Sequence, residues 1–490
     1  MSAFRRIPRT ILATAASAVL AVGLISPASA FTGSSAALSG SAAVSSVIGA
    51  SAPKNIIYMV GDGMGYDHVA AANLYDAGQT RYQVDGPVGS DLSMADADAV
   101  QVYEGAAWNK LGMTTFQAGN SYDGERAWAD HNYVNESYTD SAAAGTAMAT
   151  GVKTANGNLG VDVALTALEN TSERAKEQGK AAGVVSDVPF SHATPAAWAA
   201  HVESRNNYHE IARQMIDGDL DVIMGAGHPF FDNDNMELSV ADYRYIAESE
   251  YNSLLAGDTD FEFFDNDETF RALAAGDVEP DTRYFGLAQV GSTLQQGRSG
   301  DSLAPYSDPM NDVVDLATMS EGALNVLNQD EDGFHLMIEA GAIDWAGHAN
   351  DIARDIEEVR AFNDAVEAVV AWVEENSSWN ETLLIVTADH ETGYLSGAGE
   401  GEFYRALTGE AGAAPTHEYY SGNHTNMVVP FYFRGAGSAD IMDSVTGTDP
   451  VRGDYIDNTT VANLFKDQFW TDKTGPEEPA EGDIPVEAQI

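Results

Sequence analysis

Acids and imidazoles able to hold metal ions stand in this chain where short apolar runs stop. Val60-Gly61 leads into Asp62, Ile338 into Glu339 and then Asp344, and Val386-Thr387-Ala388 into Asp389 and His390. Taken singly, an acid after a strand is ordinarily a turn or helix-capping residue. Taken together, such acids at the carboxyl ends of strands in an open parallel sheet would converge on the edge where ligands bind. Asp344 and His348 are four residues apart, so a helix opening there sets both side chains on one face, within reach of one ion. Asp389 and His390 are adjacent and would point oppositely on a strand, so they share an ion only where the strand has given way to a loop. His424, in Gly422-Asn423-His424-Thr425 ahead of the apolar run Val428 to Phe433, offers a third imidazole.

A hydroxyl is the natural companion of such a cluster. Residues 138–151, YTDSAAAGTAMATG, have the pattern of a helix N-cap, Asp140, followed by a small-residue helix packed closely on a sheet. Ser141 then opens the first turn, where backbone N–H groups and the helix dipole favour phosphate. A serine hydroxyl is a poor nucleophile near neutral pH, and no Ser-His-Asp pattern accompanies it, so a metal would have to lower its pKa. Arg205, in Val202-Glu203-Ser204-Arg205, is one of only 24 bases against 75 acids. Its guanidinium can donate two parallel hydrogen bonds to phosphate oxygens.

The elements that must position these residues follow from apolar spacing. The runs Asn55 to Val60, Ala182 to Val185, Asp221 to Met224, Phe334 to Ile338 and Thr382 to Thr387 suit strands buried on both faces. Between the last two, Ile356, Val359, Phe362, Val366, Val369, Val370 and Val373 recur at helical spacing. A second stripe, Val313, Leu316, Ala323, Leu324 and Leu327, places another helix just before Phe334. Strand, helix, strand implies a parallel crossover, and the expected fold is α/β, a large doubly wound, mostly parallel sheet with helices on both faces. Residues 80–135 and 228–308 break the pattern with acidic, glycine-rich and aromatic stretches and are expected as insertions on a domain covering 54–470.

Composition bounds the rest. A formal charge of −51 repels nucleic acid and anionic membranes, so neither is an expected partner. Self-repulsion of that size favours salt screening, whose range falls to roughly 3 Å at 1 M, and points to a halophilic or salt-tolerant source. The absence of cysteine excludes disulfides and all thiol chemistry. Arg5, Arg6 and Arg9 precede an apolar run, Ile11 to Ile25, that ends in Ala28-Ser29-Ala30. That is the pattern of a cleaved secretory signal over residues 1–30, shorter than the roughly 20 apolar residues of a membrane span, and it implies a periplasmic or extracellular protein. Residues 31–53 have the composition of a flexible leader, and 471–490 that of a solvated acidic Pro/Glu tail.

In order along the chain, GDGMG at 61–65, TDSAAAGTA at 139–147, HATP at 192–195, HVESR at 201–205, IEAGAIDWAGH at 338–348, TADHE at 387–391 and GNHTNMVVP at 422–430 resemble the alkaline phosphatase family, from about Asn55 to Phe465. The resemblance implies hydrolysis of phosphate monoesters through a phosphoserine on Ser141, with Asp140 holding the phosphate-binding Arg205. It implies two Zn2+ ions, one on Asp344, His348 and His424, the other on Asp62, Asp389 and His390 with Ser141 as exchangeable ligand. A third site, usually Mg2+, falls to Glu339, Thr194 and Asp62, with His192 beside it. Two cations roughly 4 Å apart would stabilise the attacking and leaving oxygens of an in-line displacement. Family members are often homodimers, so two copies are expected to pair. Sulfatases and phosphodiesterases share the superfamily, but the usual sulfatase needs a cysteine and the diesterases commonly use threonine where this chain has Ser141. A phosphodiesterase of the same superfamily and a non-catalytic metal- or phosphate-binding surface protein are the two alternatives, and the latter has no need of the serine together with every mapped ligand.

Two positions depart from the best-known enteric pattern: His192 replaces an acid, and Trp345 replaces a lysine after the zinc-binding aspartate, both as in marine and animal branches. Loss of that cation should weaken phosphate binding and speed its release. Installing it by Trp345→Lys is expected to strengthen inhibition by inorganic phosphate. An unchanged inhibition constant would contradict this.

Overall fold

Every residue of the strand Asn55–Gly61 is buried, as NIIYMVG requires of a strand covered on both faces. The computed structural model describes residues 52–399, 401 and 403–471. The expected signal, most of the leader and all of the tail beyond Thr471 lie outside the described residues. Among the described residues no helix is long and apolar enough to cross a membrane.

Among the described residues eleven strands form the central sheet. In chain order they are Asn55–Gly61 (β1), Asn109–Thr114 (β2), Ala181–Pro189 (β3), Val222–Ala226 (β4), Phe261–Phe264 (β5), Arg283–Leu287 (β6), Phe334–Ala340 (β7), Thr382–Thr387 (β8), Val429–Gly435 (β9), Gly447–Asp449 (β10) and Gly453–Asp457 (β11). Across the sheet they run β10, β11, β2, β9, β8, β1, β7, β3, β4, β6, β5. From β8 to β5 every pairing is parallel. β9 is antiparallel to both of its neighbours. An antiparallel strand begins at the edge where its parallel neighbours end, so His424, just ahead of β9, arrives beside Asp62, Glu339 and Asp389.

The helices that carry or buttress the site are Tyr66–Ala77 (α1), Ser141–Thr150 (α2), Ala193–Ala196 (α3), Leu316–Leu327 (α4), Ala342–Ala349 (α5) and Ile352–Asn376 (α6). α6 starts where the Asp351 side chain accepts from the amides of Ala353 and Arg354, and its stripe from Ile356 to Val373 is buried. Burying a Val or Phe side chain contributes about 1.5–3 kcal/mol, so this face anchors the crossover from β7 to β8. α4 begins after the cap Asp315, whose carboxylate accepts from Thr318 N at 2.7 Å. Val313 therefore lies ahead of the helix and packs on the core from the preceding loop. Residues 80–135 and 228–308 do more than decorate: β2 comes from the first, β5 and β6 from the second. In Phe261–Phe264 burial alternates imperfectly along an edge strand, which explains why the sequence there lacks a continuous apolar run.

Candidate metal and nucleophile site

Ser141 is the first residue of α2, whose ten residues are all buried. That burial demands small side chains: a Cβ added at Gly145 would lie 3.0 Å from the Ala197 Cβ. Asp140 caps the helix, accepting from Ala143 N at 2.9 Å with one carboxylate oxygen. Its other oxygen accepts from Gly157 N at 3.0 Å and from Arg205 Nη1 at 3.1 Å. Arg205 is thus oriented beside Ser141. Burial disfavours its charge, but Asp140 outweighs this and raises its pKa.

Three imidazoles, from α5, the loop after β8 and the short strand His424–Thr425 ahead of β9, converge in front of that serine. His348 Nδ1 faces Gly422 O at 2.8 Å, and His424 Nδ1 faces Thr139 O at 2.8 Å. A carbonyl can only accept, so each Nδ1 carries the proton and each Nε2 presents a lone pair in the neutral ring. Those two Nε2 atoms are 3.1 Å apart, and both face Asp344 Oδ1, at 3.4 and 3.3 Å. A cation between them satisfies all three atoms; without one, a proton takes its place. Accordingly His424 is raised, because Asp344 outweighs a burial that would lower it. Asp344, which burial alone would raise, is held below the usual carboxylate range by the His424 hydrogen bond and the nearby imidazoles.

A second convergence centres on His390 Nε2. Ser141 Oγ lies 3.3 Å from it, Asp389 Oδ2 3.1 Å and Asp62 Oδ1 3.5 Å. In a Ser-His-Asp relay the serine and the acid face opposite ring nitrogens. Here they face the same one, a geometry that suits ligation of an ion and not a proton relay. Asp389 sits beyond the last residue of β8, so its neighbour His390 is freed from strand alternation. Asp389 Oδ1 accepts from Gly63 N at 3.1 Å. Gly63, with φ +77, admits no side chain: a Cβ there would stand 2.8 Å from the Asp344 Cα.

Asp62 Oδ2 accepts from Thr194 Oγ1 at 3.1 Å, and Glu339 Oε2 accepts from Ser186 Oγ. Asp62 Oδ1, Asp389 Oδ2 and Glu339 Oε1 are buried with no hydrogen-bond partner. Unpaired ions so placed each cost several kcal/mol, so these residues fit bound cations. Asp344, His348 and His424 each offer a ligand atom within 4.8 Å of one another, as do Asp62, Asp344 and His390. Asp344 therefore faces both groups. His192 caps α3, its ring 6.1 Å from that of Tyr208 and 5.6 Å from that of Trp345. Its Nδ1 is buried without a partner, and burial, with Arg205 nearby, lowers its pKa to about 3. All the residues singled out in the sequence are placed on this one edge of the sheet.

Three contributors escaped the sequence reading. Thr392 donates to Asp344 Oδ1 at 2.6 Å and lies 3.2 Å from His390 Nδ1, tying two ligands together. A threonine after a strand carries no signal of that kind. Ser186 and Asp187, polar residues in the otherwise apolar β3, were a visible signal: Ser186 holds Glu339, and Asp187 Oδ1 accepts from Gly341 N at 2.6 Å.

Fold and site together define a doubly wound α/β protein with a buried carboxylate–imidazole cluster, able to hold metal ions, facing a helix-terminal serine. The family model for alkaline phosphatase matches residues 53–429, and the chain belongs to that family. It is 32% identical over 360 residues to alkaline phosphatase 4 of Bacillus subtilis (strain 168), covering 71% of this chain and 64% of that protein. Alkaline phosphatase 3 of the same organism is 30% identical over 360 residues, 71% of this chain and 63% of that protein. The chain's match thus spans just under two thirds of these relatives' length. The solved alkaline phosphatase from the Antarctic bacterium TAB5 shares the fold, with a TM-score of 0.59 at 23% identity over 86% of this chain and 100% of that one.

With ions removed, burial pushes Asp389 up to about 6 and Glu339 up to about 8. Both then bind a proton more tightly folded than unfolded, where carboxyl values are near 4. The stability they contribute is complete below about pH 4 and is lost as pH rises through about 6 and then about 8. Thermal unfolding of chelated protein should show Tm falling between about pH 4 and pH 8, while metal-loaded protein holds its Tm over that window. Parallel profiles for the two forms would contradict this.

Proposed function

We propose that this chain hydrolyses phosphate monoesters to an alcohol and inorganic phosphate, with Ser141 as the transient carrier of the phosphoryl group. The observation that carries the proposal is the convergence of Ser141 Oγ, Asp389 Oδ2 and Asp62 Oδ1 on one imidazole nitrogen of His390. Two zinc ions, on Asp344, His348 and His424 and on Asp62, Asp389 and His390, with magnesium by Glu339, Thr194, Asp62 and His192, would supply charge that lowers the serine and water pKa values and neutralises the reacting oxygens.

The chain's own residues do the positioning. Arg205, fixed by Asp140, donates to two oxygens of the phosphate dianion, and the first-turn amides of α2 face the same anion. Ser141 Oγ gives up its proton to solvent and bonds to phosphorus as the ester P–O bond breaks in line, and the departing alkoxide takes a proton from solvent. In the reverse sense, a water oxygen bonds to phosphorus as the Ser141 Oγ–P bond breaks, which returns the serine and frees phosphate. The carboxylates of the cluster hold this centre electrically balanced, so a strongly acidic protein can still attract a dianion. The same reading carries export after removal of residues 1–30 and the pairing of two copies.

Ser141→Ala is expected to lower hydrolysis of an aryl phosphate on the order of a thousandfold or more, with zinc content retained. It should also abolish the acid-stable label left by radioactive phosphate on the wild-type chain. Hydrolysis surviving at the wild-type rate would overturn the proposal.

A further inference from the structure

We propose that the chain holds a calcium ion between Asp187 and Glu358, in a cavity of its own outside the Ser141 centre. Asp187, on β3, and Glu358, on α6, are each only 2% exposed, and both line one cavity of about 200 Å³. Glu358 makes no hydrogen bond or ion pair among the described residues, and its Oε1 is buried without a partner. Asp187 uses one oxygen, Oδ1, to accept from Gly341 N at 2.6 Å and Ala342 N at 3.3 Å.

The neighbouring cations are already occupied. Arg298 binds Glu357 at 2.7 Å, and Arg354 binds Glu357 at 3.0 Å and Asp308 at 2.8 Å. Glu357 Oε1 also accepts from Tyr306 N at 2.5 Å. Asp187 and Glu358 are left as two buried carboxylates without an ion-pair partner among the described residues, and Arg298 and Arg354 offset the charge of Glu358 only in part. Burial, and then Glu358, raises Asp187; burial, and then Glu357, raises Glu358 to about 8. Either a shared proton or a cation relieves such a pair.

The cation is favoured by the space and by the donors. A water molecule occupies about 30 Å³ in the liquid, so the cavity has room for an ion and several waters. Asp315 and Asp364 add further negative charge to its lining, which contains neither imidazole nor thiolate. Carboxylate and water oxygens in an irregular space suit calcium, which accepts variable geometry, better than zinc or the strictly octahedral magnesium. The pair's charge of two matches a divalent ion. Through Gly341 and Ala342, Asp187 also abuts the start of α5, so occupancy would brace the helix that carries Asp344 and His348.

The test uses the full chain loaded with zinc and magnesium, then equilibrated with calcium and gel-filtered. Wild type should retain one more calcium equivalent than Glu358→Gln at equal zinc content, and its Tm should climb with calcium concentration while the variant's stays flat. In calcium-free buffer Glu358→Gln, which keeps the shape and removes the charge, should melt no lower than wild type. If Glu358→Gln does not fold, Asp187→Asn serves for the same comparison. Equal calcium content in wild type and variant overturns the proposal. So does a calcium-insensitive wild type whose Tm falls with rising pH, the mark of a shared proton.

Discussion

Two imidazole lone pairs held 3.1 Å apart, both facing one carboxylate oxygen, repel unless positive charge lies among them. That constraint organises the rest. The tautomers of His348 and His424 are set by backbone carbonyls, so neither ring can turn its N–H toward the other. The carbonyls belong to Gly422 and Thr139, on segments brought together by the direction of β9 and by the helix cap at Asp140. A cation requirement is therefore written into the backbone as well as into the ligands. The buried, unpartnered oxygens of Asp62, Asp389 and Glu339 extend it to a cluster.

The same charge logic reconciles surface and centre. A chain with 75 acids and 24 bases would repel a phosphate dianion everywhere except where cations are concentrated. Arg205 is fixed by Asp140, which also caps the helix that opens with Ser141. One aspartate thus couples that helix terminus to the guanidinium beside it. The packing of α2 through small residues lets that terminus approach the edge closely.

Much of this was legible in the residues. The five apolar runs are strands because doubly covered strands need no polar face, and Asp344 and His348 share a helix face because their spacing allows nothing else once α5 forms. The direction of β9 was not legible, since an apolar run has no sign. β2, β5 and β6 were hidden because NKLGMT, FEFF and RYFGL, broken by Lys, Gly, Glu or Arg, lack a continuous apolar run and read as loop, although most of β2 and β6 is buried. Thr392 was hidden for a different reason: a hydroxyl that orients its neighbours looks, in sequence, like any other hydroxyl. Asp187 beside Ser186 was the exception, a charge in the interior of a strand, which only an unusual environment tolerates.

Crystals of the zinc-loaded chain, measured for anomalous scattering on both sides of the zinc edge, test the central claim most directly. Two peaks are predicted, one about 2.0–2.1 Å from the Nε2 atoms of His348 and His424, the other at the same distance from His390 Nε2 and facing Ser141 Oγ. Zinc absent from both positions, or bound only at surface acids, would contradict it.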